Sequence, residues 1–188
     1  MDPQEGAAAG RPIDNRQRRG GAGPHGRCVR GRLRKRRPRS NHLTIVAKGK
    51  HYPTFHFKVR GGASTIRHGG TLSIINRTGD AHTFSLITKK VRPTTNKAQR
   101  QCYNKHHICQ KIFGWHGASG NSPPTKPLVD VGKKGWDREG NLHRKGDSVV
   151  FGPGQNPKPA KVSAGNEATL YFICGIHPWM HGKIHVED

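Results

Sequence analysis

The sequence predicts an all-β chain, a Greek-key β-sandwich or barrel, with one long loop insertion and a disordered basic tail at its start. Three observations predict it. Short apolar segments alternate with period two or run continuously over strand lengths. Gly 25 and Pro 13 suit turns and short strands better than long helices. Only 31% of the 188 residues are hydrophobic and 6% aromatic, which supports one modest core and leaves part of the chain unpacked.

Residues 1–41 carry 12 Lys and Arg against 3 acids, densest over Arg30–Arg39. Such a segment buries too little apolar area to offset its ordering entropy. No aromatic residue interleaves the charges, so a solvated leader is favoured over a nucleic-acid arm. One domain is expected over 42–188. Its first strands are Leu43–Val46 and Thr54–Val59, with His56 facing outward if Phe55 and Phe57 face in. Thr71–Asn76 follows Gly69-Gly70, the turn-rich Asn76–Asp80 follows that, and His82–Ile87 is the next strand. Residues 88–147 are rich in Lys, Gly, Pro and Asn and read as an insertion, with one short helix around Lys97–Phe113. Cys102 and Cys109 could brace it. Ile108, Ile112, Phe113, Trp115 and Trp136 could cover part of the barrel. Strand patterning resumes at Ser148–Phe151, Ala168–Cys174 and Lys183–Glu187, giving about seven or eight strands and almost no helix.

The net charge of +23 attracts nucleic acid, anionic membranes and acidic proteins alike, so it narrows the partner's charge and not its identity. Pairing of Cys102 with Cys109 would imply an oxidising compartment and leave Cys28 over in the tail. No apolar run reaches the roughly 18 residues of a membrane helix, and no secretory leader is visible. With 11 acidic residues and no Ser/His/Asp arrangement, acid–base catalysis is poorly supplied, and an enzyme is not expected.

The chemistry concentrates near the end. In Tyr171-Phe172-Ile173-Cys174-Gly175-Ile176-His177-Pro178-Trp179-Met180, a thiolate, an imidazole and a thioether recur every third residue between two strands. Soft sulfur with imidazole selects copper, and Cys with two His and a weak axial Met is the electron-transfer geometry. The second His is expected from His82, brought round by Gly79-Asp80-Ala81. A lone thioether is a poor zinc ligand. The pair His106-His107 is read as an exposed basic loop rather than a second metal site.

Cys174-Gly175-Ile176-His177-Pro178-Trp179-Met180-His181-Gly182-Lys183-Ile184 resembles the C-terminal copper loop of the cupredoxins, the type 1 (blue) copper proteins, and is most similar to the short loop of amicyanin and plastocyanin-like proteins. His82-Thr83-Phe84 resembles their upstream histidine segment, with Thr83 standing where many of them carry Asn. The resemblance covers roughly 43–87 and 148–188. It implies one copper ion cycling between Cu(I) and Cu(II), held by His82, Cys174, His177 and Met180, in an electron carrier that takes no small-molecule substrate. The alternatives are a protein that stores or delivers copper and, with less support, a basic nucleic-acid-binding protein with a structural metal. The expected partner is a redox protein with an acidic surface. The expected state is a monomer, and the expected location is extracellular or periplasmic.

Overall fold

The computed structural model describes residues 40–119, 122–131 and 134–188. The basic tail expected over 1–41 lies outside these residues except for Ser40 and Asn41. Ten strands form two mixed sheets. In chain order they are β1 (His42–Lys48), β2 (His56–Val59), β3 (Thr65–Arg67), β4 (Thr71–Asn76), β5 (His82–Ile87), β6 (Leu128–Val129), β7 (Ser148–Phe151), β8 (Ala160–Lys161), β9 (Thr169–Ile173) and β10 (His181–Glu187). One sheet runs β2-β1-β4-β8 and the other β3-β10-β9-β5-β7-β6. β1 pairs parallel with β4, and β3 pairs parallel with β10.

The core lies between the sheets. Leu43 and Ile45 of β1, Leu72 and Ile74 of β4, Phe84 and Leu86 of β5, and Phe172 of β9 all face it. Phe84 stacks on Phe172 with centroids 4.7 Å apart and meets the edge of Trp136 at 5.3 Å. Burying each such side chain is worth about 1.5–3 kcal/mol.

Every residue of β5 is buried, which one sandwich face cannot explain. The insertion supplies the second cover. Its helices α1 (Asn96–Gln101) and α2 (Ile108–Trp115) replace the single expected helix. Thr95 caps α1 by accepting the Ala98 N–H at 3.1 Å. The break between the helices is spanned by the Cys102–Cys109 disulfide, as the spacing suggested. Ile108, Ile112 and Trp115 pack on Ile87 and Ile173, on the outer side of the six-stranded sheet. Side chains alternate along a strand. His82, Phe84 and Leu86 therefore serve the inter-sheet core, while Thr83, Ser85 and Ile87 lie under the insertion. Trp136, also expected as cover, instead joins the inter-sheet core. The strands not anticipated, β3, β6 and β8, span two or three residues and are too short to show a period.

Candidate metal centre

The site forms where β5 begins and β9 ends. The two strands are antiparallel neighbours with Ser85 opposite Ile173, so His82 at the head of β5 lies beside the loop that Cys174 opens. Cys174 opens a tight loop that closes on itself: the Met180 N–H donates to the His177 carbonyl and the Cys174 N–H to the Met180 carbonyl, each at 2.8 Å. His177 is thereby folded back over the sulfur. The three donor atoms form a triangle. Cys174 Sγ lies 3.8 Å from His82 Nδ1 and 3.7 Å from His177 Nδ1, and the two nitrogens are 3.0 Å apart. Metal bonds of about 2.0 Å to nitrogen and 2.3 Å to sulfur, about 120° apart, put sulfur and nitrogen roughly 3.7 Å apart. The two sulfur–nitrogen edges match that spacing, and the nitrogens sit closer, at 3.0 Å, so these three residues could hold one ion.

Hydrogen bonding orients the donors. Thr78 Oγ1 donates to Asn76 Oδ1 at 2.8 Å. Its proton is spent, so at 2.7 Å it accepts from His82 Nε2–H. The His82 proton is thus on Nε2, and the Nδ1 lone pair faces the sulfur. Asn76 is held in turn, its amide donating to the Asp80 and Gly152 carbonyls at 2.8 Å. His177 Nε2 points at Asp80 Oδ2, 3.7 Å away, which likewise turns its Nδ1 inward. Two nitrogen lone pairs and a sulfur converging in a buried space call for a cation.

Electrostatics without a metal agree. Burial first, and then the charge of His177, lowers the His82 pKa to about 4, with Asp80 opposing. Burial likewise lowers that of His177. Burial pushes the Cys174 thiol up to about 11, against hydrogen bonds from Thr83, His177 and Ile176. Both rings are therefore neutral near pH 7, and a metal that bound there would displace the thiol proton.

Met180 is 1% exposed and packs with Cys174, Ala47 and Phe55 in a small apolar cluster. Phe55 sets its ring edge-on to His82 at 5.5 Å and to His177 at 5.1 Å. The Phe55 carbonyl accepts the Trp179 indole N–H at 2.9 Å, tying the loop to the chain before β2. The Thr83 N–H donates to Cys174 Sγ at 3.3 Å, and Thr83 Oγ1 accepts the Gly175 N–H at 2.7 Å. Thr83 thus links the two donor segments itself. Gly175 is required by crowding from the insertion: a Cβ there would lie 2.9 Å from Ile112 Cγ2.

The structure brings together His82, Cys174 and His177, with Met180 packed beside the thiol. His56 is exposed, as its alternation implied. His106 and His107 are exposed and belong to no metal-sized cluster among the described residues. Sequence reasoning missed Thr78 and Asn76, taking Asn76–Asp80 only as a turn. A hydroxyl four residues before a candidate ligand was the available signal.

No protein-family model and no curated protein matches the chain. Solved structures do. A reduced auracyanin from Roseiflexus castenholzii matches at 13% identity over 80% of this chain and 100% of its own, with a TM-score of 0.44. A purple cupredoxin from Nitrosopumilus maritimus matches at 11% identity over 77% and 98%, TM-score 0.40. Rusticyanin from Thiobacillus ferrooxidans matches at 19% identity over 78% and 76%, TM-score 0.36. These matches do not bear on the expected closeness to amicyanin. With two facing mixed sheets, this chain is a β-sandwich that carries a His-Cys-His cluster where β5 and β9 meet.

Proposed function

We propose that this chain is a mononuclear type 1 copper protein that transfers single electrons, and that His82, Cys174, His177 and Met180 would hold the ion. The observation that carries the reading is the buried triangle of Cys174 Sγ, His82 Nδ1 and His177 Nδ1, each ring oriented by its own partner. Bound there, copper would supply a Cu(I)/Cu(II) couple. The protein's part is to hold the donors still. Thr78 fixes the His82 ring, Thr83 anchors the sulfur, and Phe55, Ala47 and Met180 exclude water. Donors that need not move between oxidation states keep the reorganisation cost of electron exchange low.

The excess of positive charge suits a redox partner with an acidic surface, met by a monomer. The Cys102–Cys109 disulfide suits an oxidising compartment, so we place the working protein outside the cytoplasm, extracellular or periplasmic. No helix among the described residues is long and apolar enough to cross a membrane. The domain is taken to be 42–188, with 1–41 dispensable for copper binding.

The test is the visible spectrum of protein loaded with Cu(II). An intense thiolate-to-copper band near about 600 nm is expected, and Cys174→Ser should abolish it, because a hydroxyl cannot donate that charge. A Cys174→Ser protein that stays blue overturns the ligand set. A fast electron self-exchange rate then separates a carrier from a protein that stores or delivers copper.

A further inference from the structure

The outer face of the four-stranded sheet carries a hollow of about 420 Å³ ringed by Lys48, Lys58, Arg60 and Arg77 and lined also by Val46. The pleat puts them there. Leu43, Ile45, Leu72 and Ile74 face the inter-sheet core, so the residues between them along β1 and β4 point the other way. Val46 stands opposite Lys58 in the ladder. Arg60 prolongs β2, its N–H donating to the Thr44 carbonyl at 2.9 Å. Arg77 prolongs β4 beside β1, its N–H donating to the Ala47 carbonyl at 3.0 Å. Four cations from three adjacent strands thus crowd one spot. Val46 is only 5% exposed on this outward face, because the long stems around it lie over it and bring the charged heads together.

Like charges on neighbouring strands repel, and nothing in the hollow offsets them. No Asp or Glu lines it. Among the described residues, ion pairs join Arg138 to Asp130 and His177 to Asp80, and none engages these four cations. A concave wall of one sign focuses its field and draws anions. The hollow also backs onto the metal centre. Ala47, between Val46 and Lys48, turns inward and packs with Cys174 and Met180. Asn76, next to Arg77, holds the Thr78 hydroxyl that orients His82. One sheet therefore separates an anion seated here from the donor atoms.

We propose that this hollow is the docking site of the redox partner, and that a cluster of carboxylates on the partner fills it. The partner's redox role rests on the electron-carrier reading above, whereas the carboxylate chemistry rests on the hollow alone. Single-stranded nucleic acid binds by stacking its bases on aromatic rings, and no aromatic residue lines the hollow. An anionic membrane favours exposed apolar side chains beside the charge. The large apolar residues most exposed among those described, Tyr52, Tyr103 and Leu128, lie outside the hollow. Partner carboxylates meet the Lys and Arg heads as charge-assisted hydrogen bonds. The charge steers encounter from a distance and fixes orientation, so the electron crosses at the sheet that backs the donors.

The experiment uses the full-length protein and two probes. The first is a short polyglutamate peptide, titrated into the metal-free protein and followed by amide NMR. Shifts are expected at Val46, Lys48, Lys58, Gly61 and Gly62, which line the hollow. Lys58→Gln with Arg60→Gln should weaken peptide binding about tenfold, and Lys48→Gln with Arg77→Gln serves if that pair does not fold. Lys97→Gln with Arg100→Gln removes the same charge from α1, beside the metal loop, and should change binding by less than about twofold. The second probe is hexacyanoferrate(III), an anion that takes one electron from the Cu(I) protein and becomes hexacyanoferrate(II) as the copper becomes Cu(II). At low salt its rate should fall about threefold or more with the sheet pair and hold with the α1 pair, the visible spectrum being unchanged in both and the difference closing at high salt. Peptide shifts spread over the whole basic surface or gathered on α1, or a rate that falls more with the α1 pair than with the sheet pair, overturn the proposal. So does a single-stranded oligonucleotide of equal charge that binds the hollow more tightly than the peptide. If wild type binds no copper, the electron-carrier reading fails, and the peptide titration still decides whether the hollow takes carboxylates.

Discussion

Thr78→Val isolates the step that prepares His82 for a metal. Valine keeps the shape of threonine, and the site is buried at 7% exposure, so little else moves. What is lost is the oxygen 2.7 Å from His82 Nε2. Asn76 Oδ1 still receives the Thr78 backbone N–H at 3.0 Å, while two donors lose their acceptor: the buried His82 Nε2–H and, 3.2 Å away, the part-buried Asp80 N–H. A buried donor without a partner costs about 1–3 kcal/mol. The ring can escape that cost by moving its proton to Nδ1, where the proton blocks the metal. Loss of a partner that orients a ligand typically weakens metal binding about 10–100-fold, or about 1.4–2.8 kcal/mol, which matches the orphaning cost. The assay is competition for Cu(II) against a chelator of known affinity, with denaturant unfolding of the metal-free protein alongside. Thr78→Ser, which restores the oxygen, should recover most of the affinity. A folded valine variant that binds Cu(II) within twofold of wild type refutes the argument that Thr78 sets the tautomer.

Met180→Leu should keep copper bound and raise the reduction potential, because a weak axial thioether mainly stabilises Cu(II); complete loss of copper binding would contradict this. Replacing Cys102 and Cys109 together by Ala should cost about 2.5 kcal/mol in denaturant unfolding, from the entropy of closing so short a loop, and no measurable loss would show that the insertion is braced by packing alone. Asp147 is fully buried, with Oδ2 accepting the Asp137 and Arg138 N–H groups at 2.7 Å and Oδ1 without a hydrogen-bond partner. Burial, partly offset by those N–H groups, raises its pKa from 3.8 to about 6. Between these values the folded protein holds a proton that the unfolded chain has released, so this residue's contribution falls as pH rises. Relative to Asp147→Asn, wild type should lose about 3 kcal/mol in all as pH rises, about 2 of it between pH 4 and pH 6 and the last few tenths by about pH 8, as read from denaturant midpoints; a difference independent of pH would refute the shift.

The sequence by itself pointed to the longer strands and to Cys174, His177 and Met180 as candidate ligands. β1, β2, β4, β5, β7, β9 and β10 announce themselves because apolar patterning holds over four or more residues. Cys174, His177 and Met180 were legible for a local reason: they share one short loop between two strands, so spacing along the chain is nearly spacing in space. His82 was reached only by its place at the head of a strand. Tertiary structure alone decided the rest. The apolar residues of the insertion suggested that it would cover part of the barrel, but not which face, because burial of Ile87 and Ile173 depends on a surface brought from far along the chain. That cover turns Thr83, Ser85 and Ser148 from ordinary strand hydroxyls into buried groups that must each find a partner. His116 looked like one of 13 histidines, and nothing local distinguishes it. It becomes a buried hydrogen-bonding group because α2 ends beside β7, and hydrogen bonds are decided by ångström distances that a linear pattern does not encode.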